Sequence, residues 1–211
     1  MERLEYIDES HQYIYDGCLI PSVSELIKFV FPNKYANVPQ HILSSKANWG
    51  TAIHNAIECH EQGFPFSLNP IQMITFEEYL RIKEYNRIEV VEQETIVHFE
   101  GRYGGRLDMV ANVNGKRSLI DIKTTAKLDE ESLAFQLGLY AMAYGEEFEG
   151  YYCIHLPKKD LGRLVEITPK SKEEILQVLE DYERSKAWVK SCICSIHSIS
   201  RIGLMNKLKN N

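Results

Sequence analysis

The chain has 211 residues, 44% hydrophobic and 26% charged, long enough to bury a substantial core and ordinary for a soluble globular protein. A net charge of −6 excludes nucleic-acid binding through overall basicity, so any such role needs a local basic patch around an acidic site. No apolar run in the sequence approaches the ~20 residues that span a bilayer. The five cysteines (Cys18, Cys59, Cys153, Cys192, Cys194) lack framework spacing, and the opening Met1-Glu-Arg-Leu-Glu is no signal peptide; together they predict a reducing, cytoplasmic setting.

In chain order, Asp16-Gly17 between Gln12–Tyr15 and Cys18–Ile20 is a two-residue turn signal that predicts an N-terminal hairpin. Ser22 opens a helix, Glu25 completes a capping box, Leu26, Ile27 and Val30 form the apolar stripe, and Pro32 closes it. Asn33 to Gln40 reads as a polar and aromatic loop placed to wall a substrate. From about Ser44 to Gln62 the pattern is helical: Ala52, Ile53, Ala56 and Ile57 make the packed side, while Gly50, His54 and Glu58 recur every four residues along one face. Gly63 stops that helix, and Ile71 to Arg87 forms another with Phe76, Tyr79, Leu80 and Ile82 inward. Glu89 to Glu100 alternates like a strand, with Val91, Thr95, Val97 and Phe99 on one face and Glu92, Glu94 and His98 on the other.

Next, Gly101 to Thr125 carries two strand-like runs about Asn114-Gly115, the dipeptide of a type I′ hairpin turn. Pairing Val113 with Lys116 and counting outward places Asp108 opposite Asp121 on one face. Facing carboxylates repel unless a positive charge lies between them, and a metal ion would supply it. Alternation puts Lys123 on the face of Asp121 and turns Ile120 and Ile122 towards the core. Taken alone, this segment reads as the polar face of an ordinary surface hairpin; the rest of the chain weakens that reading.

Beyond it, Asp129 or Glu130 to Tyr144 is helical with Gln136 and Tyr140 four apart; Tyr151–Leu156 and Arg163–Ile167 read as strands around a turn holding Lys158 and Lys159. Ser171 with Glu174 caps a last helix reaching about Lys190, and the tail after it holds Ile193, Ile196 and Ile199 as a short packed segment before a frayed end from Met205.

Taken together, Gly50-Thr-Ala-Ile-His54 with Glu58, Gly105-Arg-Leu-Asp108, Asp121-Ile-Lys123, and Gln136 with Tyr140 resemble the ordered motifs of the PD-(D/E)XK nuclease superfamily, in particular its RecB-type exonucleases, including phage-encoded and CRISPR-associated relatives. The resemblance implies an α/β fold with a central mixed sheet flanked by helices. It divides a single domain over 1–211 into an N-terminal hairpin and helix (1–44), a catalytic core (45–168) and a C-terminal helix and tail (169–211). It implies that His54, Asp108, Asp121 and the carbonyl of Ile122 hold Mg²⁺ or Mn²⁺ and that Lys123 works beside Asp108 and Asp121 in catalysis. Gln136, Tyr140, Thr124 and Arg106 are then candidates for holding DNA, Lys127, Lys158 and Lys159 for further phosphate contacts, and Glu58 and Glu94 for accessory roles.

The implied activity is exonucleolytic hydrolysis of DNA leaving 5′-phosphates, in phage or mobile-element recombination or DNA processing. A structure-specific or nicking endonuclease, or a non-catalytic nucleic-acid-binding module, stands as the alternative. The sequence contains no Gly-rich phosphate loop of a motor, so a helicase or recombination protein would be a separate partner, and a homo-oligomer is compatible with the chain. Some RecB-type relatives hold an iron–sulfur cluster on one early and three late cysteines; Cys18 with only Cys192 and Cys194 does not supply that set. The spacing of Cys192, Cys194 and His197 also matches structural zinc poorly.

Overall fold

The structure, a computed structural model, describes residues 3–32 and 39–186. Leu4–Ile7 (β1), Gln12–Tyr15 (β2) and Cys18–Ile20 (β3) form an antiparallel three-stranded sheet, so the expected hairpin gains a strand. Asp16 and Gly17 take the positive φ that the turn demands. Helix α1 (Val23–Val30) starts at a complete capping box between Ser22 and Glu25.

Helix α2 runs from Gln40 to Glu61, beginning four residues before the expected start, because Pro39 stands at its N-cap without a side-chain cap to announce it. At its other end Gly63 adopts φ 73 and Phe64 N–H reaches back to Cys59 O, the Schellman closure expected of a glycine there. Helix α3 (Pro70–Tyr85) opens with an Asn69–Gln72 capping box and proline in its first turn. Glu61 ties the two helices together, meeting Lys83 Nζ at 2.5 Å and accepting the Tyr79 hydroxyl at 2.7 Å.

The main sheet has five strands in the order β4 (Ile88–Phe99), β5 (Tyr103–Val113), β6 (Lys116–Lys123), β7 (Gly150–His155) and β8 (Arg163–Glu166). Only β6 and β7 are parallel, joined through helix α4 (Glu130–Tyr144); the other pairs are antiparallel. This is a mixed sheet with helices on both faces, the α/β architecture expected. On one face Leu119, Cys153 and Val110 pack with Leu26 of α1, Leu137 of α4, and Ile175 and Leu179 of a helix described over residues 172–186 (α5). On the other, Ile120, Ile122, Met109 and Ile154 pack with Ile53 and Ile57 of α2 and Phe76 and Ile82 of α3.

Two glycines let aromatic rings lie directly on β5. A Cβ at Gly104 would stand 2.7 Å from the Tyr13 ring, and one at Gly105 would stand 2.7 Å from the Tyr140 ring. Gly104 N–H also donates to Pro21 O at 3.0 Å, which seats the N-terminal sheet on β5. Most of the proposed substrate wall (33–38), the end of the last helix near Lys190, and the tail with Cys192, Cys194 and His197 lie outside the described residues.

Candidate metal centre

The β5–β6 hairpin closes through Asn114 at φ 50 and Gly115 at φ 82, and its ladder runs from Val113↔Lys116 to Met109↔Ile120. There it stops. Beyond that pair β5 stays with β4 as far as Tyr103, while β6 stays with β7 as far as Lys123↔His155, so the sheet forks. The count from the turn is matched as far as Met109↔Ile120, and the next pair it sets, Asp108 against Asp121, is not a ladder pair. Instead Asp108 Oδ2 accepts the Ile122 N–H at 2.7 Å, a carboxylate taking the place of a ladder carbonyl. Side-chain alternation along β5 also slips here: Leu107 packs on the α1–α4 face and Met109 on the α2–α3 face.

Helix α2 delivers His54 to this fork. Its Nε2 lies 3.1 Å from Ile122 O, so that nitrogen donates, and its Nδ1 lies 3.8 Å from Asp108 Oδ1. One turn earlier, Gly50 faces the end of β6, where a Cβ would stand 3.2 Å from Thr124 Oγ1. Glu58, one turn later and half-buried, accepts from Gln62 at 3.3 Å.

Asp121 is 1% exposed, and Lys123 Nζ stands 2.6 Å from its Oδ2. That contact lies off the hydrogen-bonding direction, and neither oxygen accepts an aligned hydrogen bond among the described residues. Burial pushes the carboxyl up to about 6, with Lys123 pulling it down and Asp108 pushing it further up. For Lys123, burial works against the charged form, but the charges of Asp121 and Asp108 outweigh it and hold the ammonium above its ordinary range.

Glu94 enters from β4. The β4–β5 register shifts between Val90 and Glu92, so Val91 is half-exposed instead of sharing the inward face of Thr95 and Val97, a correction to simple alternation. Three residues past the shift Glu94 itself adopts φ 49. One donor atom each from His54, Glu94 and Asp108 lie within 4.8 Å of one another. Burial, then the charge of Asp108, raise the Glu94 carboxyl to about 7 against the pull of Arg106.

Arg106 does not point into open space. Its Nε meets Glu94 Oε2 at 2.8 Å, its Nη1 meets Asp8 Oδ1 at 3.3 Å, and the guanidinium lies 5.6 Å from the centroid of the Tyr6 ring. Gln136 and Tyr140 interact with each other one helical turn apart on α4; Tyr140 is buried against Gly105, and burial followed by the nearby Asp108 and Asp121 raises its hydroxyl well above the usual range. Thr124 is half-buried, Thr125 and Lys127 are exposed, and exposed Lys158 holds its Nζ 4.2 Å from the centroid of Trp49.

Sequence reasoning missed His155. It lies beside Lys123 in the parallel register, 3% exposed, and its Nε2 donates to Thr125 O at 2.7 Å, fastening the segment that follows Lys123. A polar residue ending an apolar strand run was the available signal.

These residues fit a hard divalent cation. Carboxylate oxygens, one main-chain carbonyl and one imidazole are ligands suited to Mg²⁺ or Mn²⁺, and the clustered negative charge and unaligned Asp121 oxygens call for a positive partner beyond Lys123. A mixed sheet flanked by helices, with such a site where its central strands part, defines a restriction-endonuclease-like α/β fold. The model of the PD-(D/E)XK nuclease superfamily matches residues 68–199, more than half of the sequence, and the chain belongs to that superfamily. The matched span contains Asp108, Asp121, Lys123, Gln136 and Tyr140 and starts after α2, which carries His54. Among solved structures, the chain is similar to the one described as "Crystal structure of SSO0001", at 20% identity over 77% of this chain and 74% of that one, with a TM-score of 0.42. Comparison with curated protein sequences gives no match.

Proposed function

We propose that the protein is a metal-dependent DNA exonuclease that hydrolyses phosphodiester bonds and leaves 5′-phosphates, its chain working as one nuclease domain in the cytoplasm. The observation that carries this reading is the fork in the sheet, which gathers Asp108, Asp121, Lys123, His54 and the Ile122 carbonyl at one place. Asp108, Asp121, the Ile122 carbonyl and His54 are the residues to hold Mg²⁺ or Mn²⁺. When bound, such an ion lowers the pKa of a coordinated water and neutralises charge on the scissile phosphate.

The protein groups do the rest. Lys123, kept charged by the carboxylates beside it, orients the attacking water and stabilises negative charge growing on the phosphate. His155 holds the Thr124–Thr125 segment in place, from which Thr124 donates to a phosphate oxygen. Gln136, braced by Tyr140, positions the strand; Arg106 reaches phosphate only on release from Glu94 and Asp8.

The exonuclease mode, and a place in phage or mobile-element recombination, draw support from the order of motifs shared with RecB-type enzymes. The test is degradation of end-labelled linear DNA with Mn²⁺ or Mg²⁺. Label should be lost with the wild-type chain and retained with Asp121→Ala and Lys123→Ala; loss that these substitutions leave unchanged refutes the reading. Covalently closed circular DNA should survive, and its cleavage would assign a nicking or structure-specific endonuclease instead.

A further inference from the structure

We propose that Glu94 is a third carboxylate ligand of the cation centre and that Arg106 is the counter-ion it gives up when the cation binds. The inference rests on the metal-dependent reading above and extends it to a residue on a different strand.

A glutamate in the left-handed region is uncommon, because its Cβ crowds the following carbonyl. β4 accepts that conformation at Glu94, φ 49, three residues after the register shift at Val91. The result is that the carboxylate comes within 4.8 Å of donor atoms on both His54 and Asp108. Independently, Asp121 at the same fork is 1% exposed with neither oxygen in an aligned hydrogen bond, and Lys123 Nζ, 2.6 Å from its Oδ2, is its counter-charge there. Three carboxylates crowd together there, and the described side chains offer Lys123 to Asp121 and Arg106 to Glu94 as compensating cations.

The two cations are held differently. Lys123 belongs to the strand that carries Asp121 and stays with it. Arg106 is shared: it contacts Glu94 at 2.8 Å, and its other end is drawn to Asp8 at 3.3 Å and lies over Tyr6 of the N-terminal sheet. Glu94, Asp108 and His54 would hold a divalent ion whose charge would replace the one that Arg106 now supplies, and the guanidinium would keep Asp8 and Tyr6. The N-terminal sheet thereby stabilises the cation-loaded arrangement without touching the ion.

The experiment is Mn²⁺ binding to the full chain without DNA, followed by the loss of the free-ion electron paramagnetic resonance signal and by calorimetry. Loss of a ligand should weaken Mn²⁺ binding about 10- to 100-fold in Glu94→Gln. Glu94→Asn, whose residue type tolerates left-handed backbone, should behave alike and keeps the test valid if the first variant folds poorly. Removing the competitor in Arg106→Met should tighten binding about two- to fivefold, the worth of one partly exposed ion pair. Asp108→Asn and Asp121→Asn test the parent reading: if both bind Mn²⁺ like the wild type, the metal centre itself falls. If they lose binding while both Glu94 variants stay within twofold of wild type, only the role of Glu94 is overturned. Unchanged or weaker binding in Arg106→Met overturns the counter-ion role.

Discussion

In the absence of divalent cations, raising the pH from about 5 to about 8 should destabilise the folded protein, opposite to the usual behaviour of paired carboxylates. The Asp121 carboxyl sits at about 6 against an ordinary 3.8, and Glu94 at about 7 against 4.5. Both values are raised on folding, so between the ordinary and the folded values the native state binds more protons than the unfolded chain. Their stabilising contribution is complete below the ordinary values and is lost as the pH climbs through the folded ones. At about 1.4 kcal/mol per pH unit, the part of that window above about pH 5 is worth on the order of 1–2 kcal/mol for buried Asp121, and a similar amount for Glu94 once its partial exposure is discounted. About 3 kcal/mol corresponds to a fall of roughly 6–12 °C in Tm for a chain of this size. Differential scanning fluorimetry in EDTA across the pH range measures it, with Glu94→Gln expected to remove about half of the slope. Saturating Mn²⁺ should flatten or invert the trend, because it binds the deprotonated carboxylates. A Tm that is flat or rising from about pH 5 to about pH 8 in EDTA would refute the electrostatic account of the fork.

Other substitutions test separate parts of the structure. Lys123→Met should lower the cleavage rate at least about 100-fold while leaving Mn²⁺ binding measurable, since the lysine acts on water and phosphate and not as a ligand; single-turnover cleavage and calorimetry on one preparation check this. Gly105→Ala forces a methyl against Tyr140 at 2.7 Å and Val23 at 2.8 Å. Overpacking of that kind should cost about 1–3 kcal/mol in urea unfolding. Ser22→Ala removes the acceptor for Glu25 N–H at the start of α1 and should cost about 1 kcal/mol in the same assay, with no effect on Mn²⁺ affinity.

Much of this was legible in the residues because local chemistry announced it. Asn114-Gly115 names its own turn, and Ser22–Glu25 and Ser171–Glu174 name their helix starts through reciprocal hydrogen bonds that the structure contains. What escaped depended on partners distant in sequence. Register counting from the turn presumes that backbone pairs with backbone, and it fails where the Asp108 side chain substitutes for a carbonyl. Strict alternation along β4 misplaces Val91, because a one-residue shift against β5 leaves no local mark. The start of α2 carries no local mark because Pro39 offers no capping side chain, and Leu4–Ile7 becomes a strand only by pairing with Gln12–Tyr15. Arg106 reads as a free basic group until Asp8, ninety-eight residues earlier, is seen beside it.

The bond from Ile122 N–H to Asp108 bears on how a silent form of this protein should be made. Replacing Asp108 with alanine deletes a proposed ligand and also strands the backbone N–H of Ile122, a 3% exposed residue, at a cost of about 1–3 kcal/mol. An inert variant built there would confuse lost chemistry with a loosened sheet, and a DNA complex trapped on it would inherit that distortion. Lys123 enters the β6–β7 ladder through its backbone, while its side chain meets the Asp121 carboxylate at 2.6 Å, so replacing that side chain keeps every ladder hydrogen bond and is the better way to silence the proposed nuclease.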